Sequence, residues 1–256
     1  MVEDSNYPLS AKLPSMFKWP GGKSRSVKKL LKELPDHKTY VEPFVGAGSL
    51  FFAKPLAGKN VINDVNKGLV NFYKELRDDN NCRKLKNCNV PENDKEFDRQ
   101  RKKVDTNACA FIGTTIRSYG GDQNRAKGIF NYDFKNTKIK KHCNEYQEKL
   151  DKAVILNQDY KKVFDKYDSA GTLTYLDPPY WATSKHYGTK VPHPEEVCGL
   201  AHKAKGKVMI SYNNHPEVRK ACSKGLKIKK VDVKYGFQQA TTKKPKDVKE
   251  LLITNY

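Results

Sequence analysis

Apolar and polar positions follow two different regimes along this chain. In the first, short apolar, β-prone runs stand at residues 39–42, 60–63, 153–156, 172–176 and 207–211, with later ones near 228–233 and 249–253. Such runs, bounded by turn formers, predict strands covered on both faces. Helical spacing fills the gaps at 27–34, where Leu30, Leu31 and Leu34 share one face, at 50–53, from Tyr160 to about 166, and at 195–204. Repeated strand–helix alternation predicts an α/β fold with a doubly wound, mostly parallel sheet. In the second regime, polar stretches such as 80–86 and many lysines replace the alternation. The chain is thus read as a Rossmann-like core of residues 1–77 and 150–256, opening with a polar arm to about Leu13, and an inserted helical or loop domain over 78–149.

The chemistry gathers where strands end. The run 172–176 stops at Asp177-Pro178-Pro179-Tyr180, followed by Trp181. Prolines lack N–H donors and fix φ, so neither a helix nor a ladder continues through them. The result is a rigid turn with free carbonyls, an acid on one side and aromatic rings on the other. Ligands of open α/β sheets bind at the carboxyl ends of strands, where this turn falls. Any strand could end this way, so the turn gains meaning from a second feature upstream. The strand 39–42 runs into Glu42-Pro43-Phe44-Val45-Gly46-Ala47-Gly48-Ser49, whose glycines let the backbone approach a ligand closely. The spacing is not G-x-G-x-x-G, and no third glycine follows, which favours a nucleoside-like ligand over a pyrophosphate. Asp64, at the end of the strand 60–63 and roughly 20 residues on, is placed to accept hydrogen bonds from ribose hydroxyls. Ahead of both, the loop Phe17-Lys18-Trp19-Pro20-Gly21-Gly22-Lys23 precedes a helix that Ser24 or Ser26 caps, an arrangement suited to cradling an anion or carboxylate.

Charge adds a partner to this picture. Lys and Arg number 49 against 29 Asp and Glu, a formal +20. Such an excess suits a polyanion, because each cation near a phosphate releases counterions; a generally basic proteome would show the same excess. Within the insert, Arg117, Tyr119, Asn124 and Arg125 share one polar, glycine-bearing stretch, and Lys140 lies in the basic run 135–141. Arg and Asn can read base edges, Tyr can wedge or stack, and lysines hold phosphates. With 37% hydrophobic residues the chain can fill a core, which excludes wholesale disorder. Its six cysteines lie scattered without zinc-ligand spacing, so they are expected to be reduced thiols of an intracellular protein, and no metal site is expected. No leader pattern or membrane-length apolar run occurs, which predicts a soluble protein of the cytoplasm or a host-cell interior, with no membrane partner.

Taken together and in order, KWPGGK at 18–23, EPFVGAGS at 42–49, ND at 63–64, DPPY at 177–180 and SYNN at 211–214 closely resemble the Dam-like DNA adenine methyltransferases. The resemblance extends to KELLITNY from Lys249, and the motif order is that of the family's alpha arrangement. One departure falls in the insert: where the family often has FNVP, Phe130-Asn131 is followed here by Tyr132-Asp133. The resemblance implies S-adenosyl-L-methionine as methyl donor. Trp19 and Lys23 would hold its methionine end, Asp64 its ribose, and Asp159 with Tyr160 its adenine. Phe44, Gly46, Ala47 and Gly48 would line its backbone-facing side, with Gly22, Glu42, Ser49 and Asp177 completing the set. The implied reaction methylates the N6 amine of an adenine flipped out of duplex DNA. Asp177 and the Pro178 carbonyl would accept its two N–H groups, Pro179 would stiffen the turn, and Tyr180 would stack on the base. A restriction endonuclease acting on the same site is a companion the resemblance admits. The rivals are an RNA base methyltransferase and a DNA-binding module of the same fold that has lost catalysis; the presence of both Asp177 and Lys23 weighs against the second.

Overall fold

A computed structural model describes residues 13–78, 81–127, 138–181, 191–234 and 247–256. The polar arm, the departure after Phe130, the first part of the basic run 135–141 and most of the loop 183–194 lie outside those residues.

In chain order the elements are α1 (Val27–Leu31), β1 (Thr39–Glu42), α2 (Ser49–Ala53), β2 (Lys59–Asn63), α3 (Lys67–Arg77), α4 (Asn81–Lys86), α5 (Asp94–Arg101) and α6 (Ala108–Arg117). There follow α7 (Lys138–Lys141), α8 (Cys143–Asp151), β3 (Ala153–Leu156), α9 (Tyr160–Tyr167) and β4 (Thr172–Leu176). The last are α10 (Pro194–Lys203), β5 (Lys207–Asn213), α11 (Pro216–Ala221), β6 (Lys227–Lys234) and β7 (Asp247–Thr254). The strands form one sheet in the order β3-β2-β1-β4-β5-β7-β6. The first five run parallel, while β7 is antiparallel to both β5 and β6. The strand order reverses between β1 and β4, which makes their carboxyl ends the switch point where a ligand crevice opens.

Period-2 alternation explains the continuous apolar runs. Tyr40, Ile62, Leu173, Tyr175 and Met209 face one buried cluster with residues of α2, α3, α6 and α8. Their neighbours Val41, Val61, Leu176, Val208 and Ile210 face the other side, against α9, α10 and α11. Both faces are therefore covered, and the mostly parallel, doubly wound α/β architecture is the one the sequence predicts. Outside the segment 78–149, two helices are additional. In α3 the Asn66 side chain caps the start by accepting from Leu69 N at 2.8 Å, and Leu69, Val70, Phe72, Tyr73 and Leu76 are buried. α11 follows His215, with Pro216 in its first turn.

Described residues of the segment 78–149 join the core of the sheet. Cys82, Leu85, Phe111, Ile139 and Tyr146 belong to the same buried cluster as Tyr40 and Phe52. Its last helix, α8, also reaches the end of α2 through a buried amine: Lys149 Nζ donates to the carbonyls of Phe52 (2.8 Å) and Lys54 (2.6 Å), satisfying the free C-terminus of α2. Burial holds this lysine down to about 8.

The cysteines correct the expectation of free thiols. All six pair: Cys82 with Cys143, Cys88 with Cys109, and Cys198 with Cys222. The first two tie α4 to α8 and the end of α4 to α6; the third joins α10 to α11. Partners stand 61, 21 and 24 residues apart, so only the helix packing brings them together. Among the described residues no helix is long and apolar enough to cross a membrane, and no group of three His, Cys, Asp or Glu could hold a metal ion.

Candidate active site

At the switch point a cavity of about 410 Å³ opens between the loop carrying Trp19 and Lys23, the turns after β1 and β2, the start of α9 and the turn after β4. Its volume falls in the range of small-ligand sites. Asp177 leaves β4 into it, with Pro178 and Pro179 ending the strand. Lys23 lies against it: Nζ is 2.7 Å from Asp177 Oδ1, donates to Gly21 O at 2.8 Å, and sits 4.7 Å from the centre of the Tyr180 ring. The lysine side chain is 4% exposed and the aspartate 16%.

Burial raises the Asp177 carboxyl to about 6, and the neighbouring Lys23 ammonium limits the rise. Its contribution to stability is therefore full below the unfolded value of 3.8 and is lost as pH rises through about 6. Beneath it, Glu42 accepts from Tyr40 Oη at 2.7 Å and is pushed up to about 8 by burial, so it keeps its proton at neutral pH. The Tyr180 ring stacks on Tyr212 at 6.0 Å between centroids, which fixes the wall beside Asp177.

The half of the cleft around Gly46 and Asp64 is equally constrained. Gly46 and Gly48 have φ of +47° and +66°, and a Cβ at Gly48 would meet the Phe52 ring at 2.4 Å. Gly48 precedes α2, whose first residue is Ser49, and Ala47 is buried beside it. Gly22 N donates to Trp19 O at 2.9 Å, closing the turn before Lys23. Asp64 accepts from Gly46 N (3.0 Å) and Asn66 N (2.9 Å), while burial raises its carboxyl. Asn63 staples the floor: Nδ2 donates to the carbonyls of Pro43 and Gln158, and Oδ1 accepts from Gln158 N. Phe44 and Tyr160 stand 4.9 Å apart at 36°, forming an aromatic pair at one end, and Asp159 caps α9 through Lys161 N. Glu196, which sequence reasoning overlooks, enters from the first turn of α10 and accepts from Tyr160 Oη at 3.0 Å. Its only sequence signal is its place just after Pro194, at the start of a helix.

The DNA-facing candidates fall into two groups. Tyr119, 44% exposed, with Asn124 and Arg125, also exposed, lies on a turn closed by a bridge between Ser118 and Ala126 and by Tyr119 N donating to Arg125 O. Lys140 is half-buried on α7. Arg117 differs: it ends α6 with 3% of its side chain exposed, its guanidinium 3.7 Å from Asp94.

The fold and this cleft define a doubly wound α/β protein with a ligand site at its switch point. The family description "D12 class N6 adenine-specific DNA methyltransferase" matches residues 19–237, and the chain belongs to that family. It is 29% identical to a DNA adenine methylase of Vibrio cholerae over 181 residues, 65% of either chain. It is 27% identical to that of Serratia marcescens over 226 residues, covering 78% of this chain and 83% of the relative. The type II methyltransferase M.MjaIII of Methanocaldococcus jannaschii is 26% identical over 284 residues, covering 94% and 98%. The match to the Vibrio relative thus spans slightly under two thirds of that protein.

Proposed function

We propose that this chain is a site-specific DNA methyltransferase that moves a methyl group from S-adenosyl-L-methionine to the N6 amine of an adenine flipped out of duplex DNA. The observation that carries the reading is the buried Asp177–Lys23 pair, made by two motif loops meeting at the switch point. The cofactor fits what surrounds it. The turn at Gly46 and Gly48 has no room for larger side chains, Asp64 keeps acceptor capacity toward a ribose, and Phe44 with Tyr160 offers walls for a purine. When bound, it supplies an electrophilic methyl group on a sulfonium centre.

The remaining work falls to the chain. An exocyclic adenine amine is a poor nucleophile, because its lone pair is delocalised into the ring. Asp177 and the Pro178 carbonyl each accept one of its N–H groups, which draws the nitrogen toward tetrahedral geometry and localises the pair. The Pro-Pro turn holds both acceptors in place, so alignment costs little at the moment of reaction. Lys23 keeps Asp177 ionised despite its burial, and the aspartate offsets the positive charge growing on nitrogen. Tyr180 stacks on the base. Residues 78–149 meet the DNA, with Tyr119, Asn124 and Arg125 toward the bases and Lys140 toward phosphate. Nucleoside mass spectrometry of duplex DNA and of RNA, each incubated with protein and S-adenosyl-L-methionine, tests this directly. N6-methyladenine in the DNA is expected; modification of RNA alone would overturn the reading.

A further inference from the structure

The turn that carries Tyr119, Asn124 and Arg125 meets the Lys18–Trp19 backbone at Gly121, and only glycine fits there. Gly121 is buried with φ +82°, and a Cβ on it would lie 1.9 Å from Lys18 O and 2.7 Å from Lys18 C, both backbone atoms that cannot swing aside. Its neighbour Gly120 has φ +60° and nothing within 4 Å of a Cβ. From this contact the packing continues without a break. Lys18 leads into Trp19, whose ring would be met at 2.8 Å by a Cβ on Gly46. Phe111 of α6 backs the same ring at 5.9 Å. The turn is pinned to α6 as well: Gln123, itself at φ +60°, donates to Thr115 Oγ1 at 2.7 Å. At Gly121 the turn therefore lies directly against the Lys18–Trp19 backbone.

We propose that Gly121 is a positioning residue through which cofactor binding and DNA recognition are coupled. Occupation of the cleft fixes Trp19, which fixes the turn through Gly121, so cofactor raises affinity for DNA. By linkage, DNA raises affinity for cofactor by the same factor. The inference rests on the methyltransferase reading above, and its test separates the two. S-adenosylhomocysteine is titrated with and without a duplex carrying the sequence that the protein methylates, and the duplex with and without S-adenosylhomocysteine. Wild type should show a mutual enhancement of at least about fivefold. Gly121→Ala should reduce that factor toward one in both directions. Gly120→Ala, with the same backbone strain and open space, should keep it.

Hydrogen exchange of the wild type supplies a readout that no variant's folding can spoil. S-adenosylhomocysteine alone, with no DNA present, should slow exchange of amides 118–126. If wild type binds S-adenosylhomocysteine but this turn exchanges unchanged, or if the two alanine variants lose coupling alike, the inference is overturned and the methyltransferase reading stands. If wild type binds no S-adenosylhomocysteine, both fall.

Discussion

The strand-end site and the 118–126 turn meet at Trp19, yet they are built on opposite terms. At the strand ends charge is largely buried: Lys23 and Asp177 are ion-paired, and burial raises the neighbouring Glu42 carboxyl to about 8. Parallel strands fix where each loop leaves the sheet, so these groups are held before any ligand arrives. On the turn Tyr119, Asn124 and Arg125 are exposed, and the local backbone is held by positive-φ residues and one bridge. In the proposed reading, chemistry falls to the buried strand-end groups and recognition to the exposed side chains of the turn. Arg117 marks the boundary, since it lies one residue before the turn and is buried like the site residues.

The contrast is broken most severely by uncoupling the buried pair. Lys23→Met strands an ionised or freshly protonated Asp177 in the cleft and should cost about 3–5 kcal/mol in urea unfolding, far more than any surface lysine. Asp177→Asn keeps the shape and removes the charge. Its single-turnover methylation rate should fall by roughly 10²-fold or more while affinities for S-adenosylhomocysteine and duplex change little. Equal losses in both would make Asp177 a structural acid. On the turn, Tyr119→Ala, Asn124→Ala and Arg125→Ala should each cost about 1–3 kcal/mol on the methylated sequence and less on a scrambled duplex, with stability unchanged. Equal losses on both duplexes would assign the turn to phosphate. The smallest effect belongs to Lys140→Ala, which should weaken all duplexes alike and reduce the salt slope by about one.

How much of this was legible before the structure depended on the distance over which the physics acts. Thr39–Glu42, Ala153–Leu156 and Thr172–Leu176 are strands with the predicted bounds, because each is a short β-prone run bounded by residues that end it. Glycines 46 and 48 and the prolines 178 and 179 announce their turns locally. The helix α3 goes unread although Leu69, Phe72, Tyr73 and Leu76 carry its period, since lysines and asparagines interrupt the apolar pattern. What sequence alone cannot supply is pairing across the chain. Lys23 reads from its own loop as part of an anion cradle and from the resemblance as a cofactor ligand, and its partnership with Asp177 appears only when β1 and β4 lie side by side. The three disulfides are hidden for the same reason. The burial of Arg117 is set by α6, an apolar helix whose last residue looks, in a polar context, like a groove reader.

The account turns on Asp177 acting as an ionised acceptor tuned by Lys23, and the pH dependence of the single-turnover rate tests that most directly. Asp177 must be deprotonated to accept from the amine, so the rate should rise with pH through about 6 and level off above it. Lys23 lowers the carboxyl from where burial alone would put it, so in Lys23→Met the midpoint should move upward. A wild-type rate that stays flat across that range, or a midpoint that Lys23→Met leaves in place, would contradict the account.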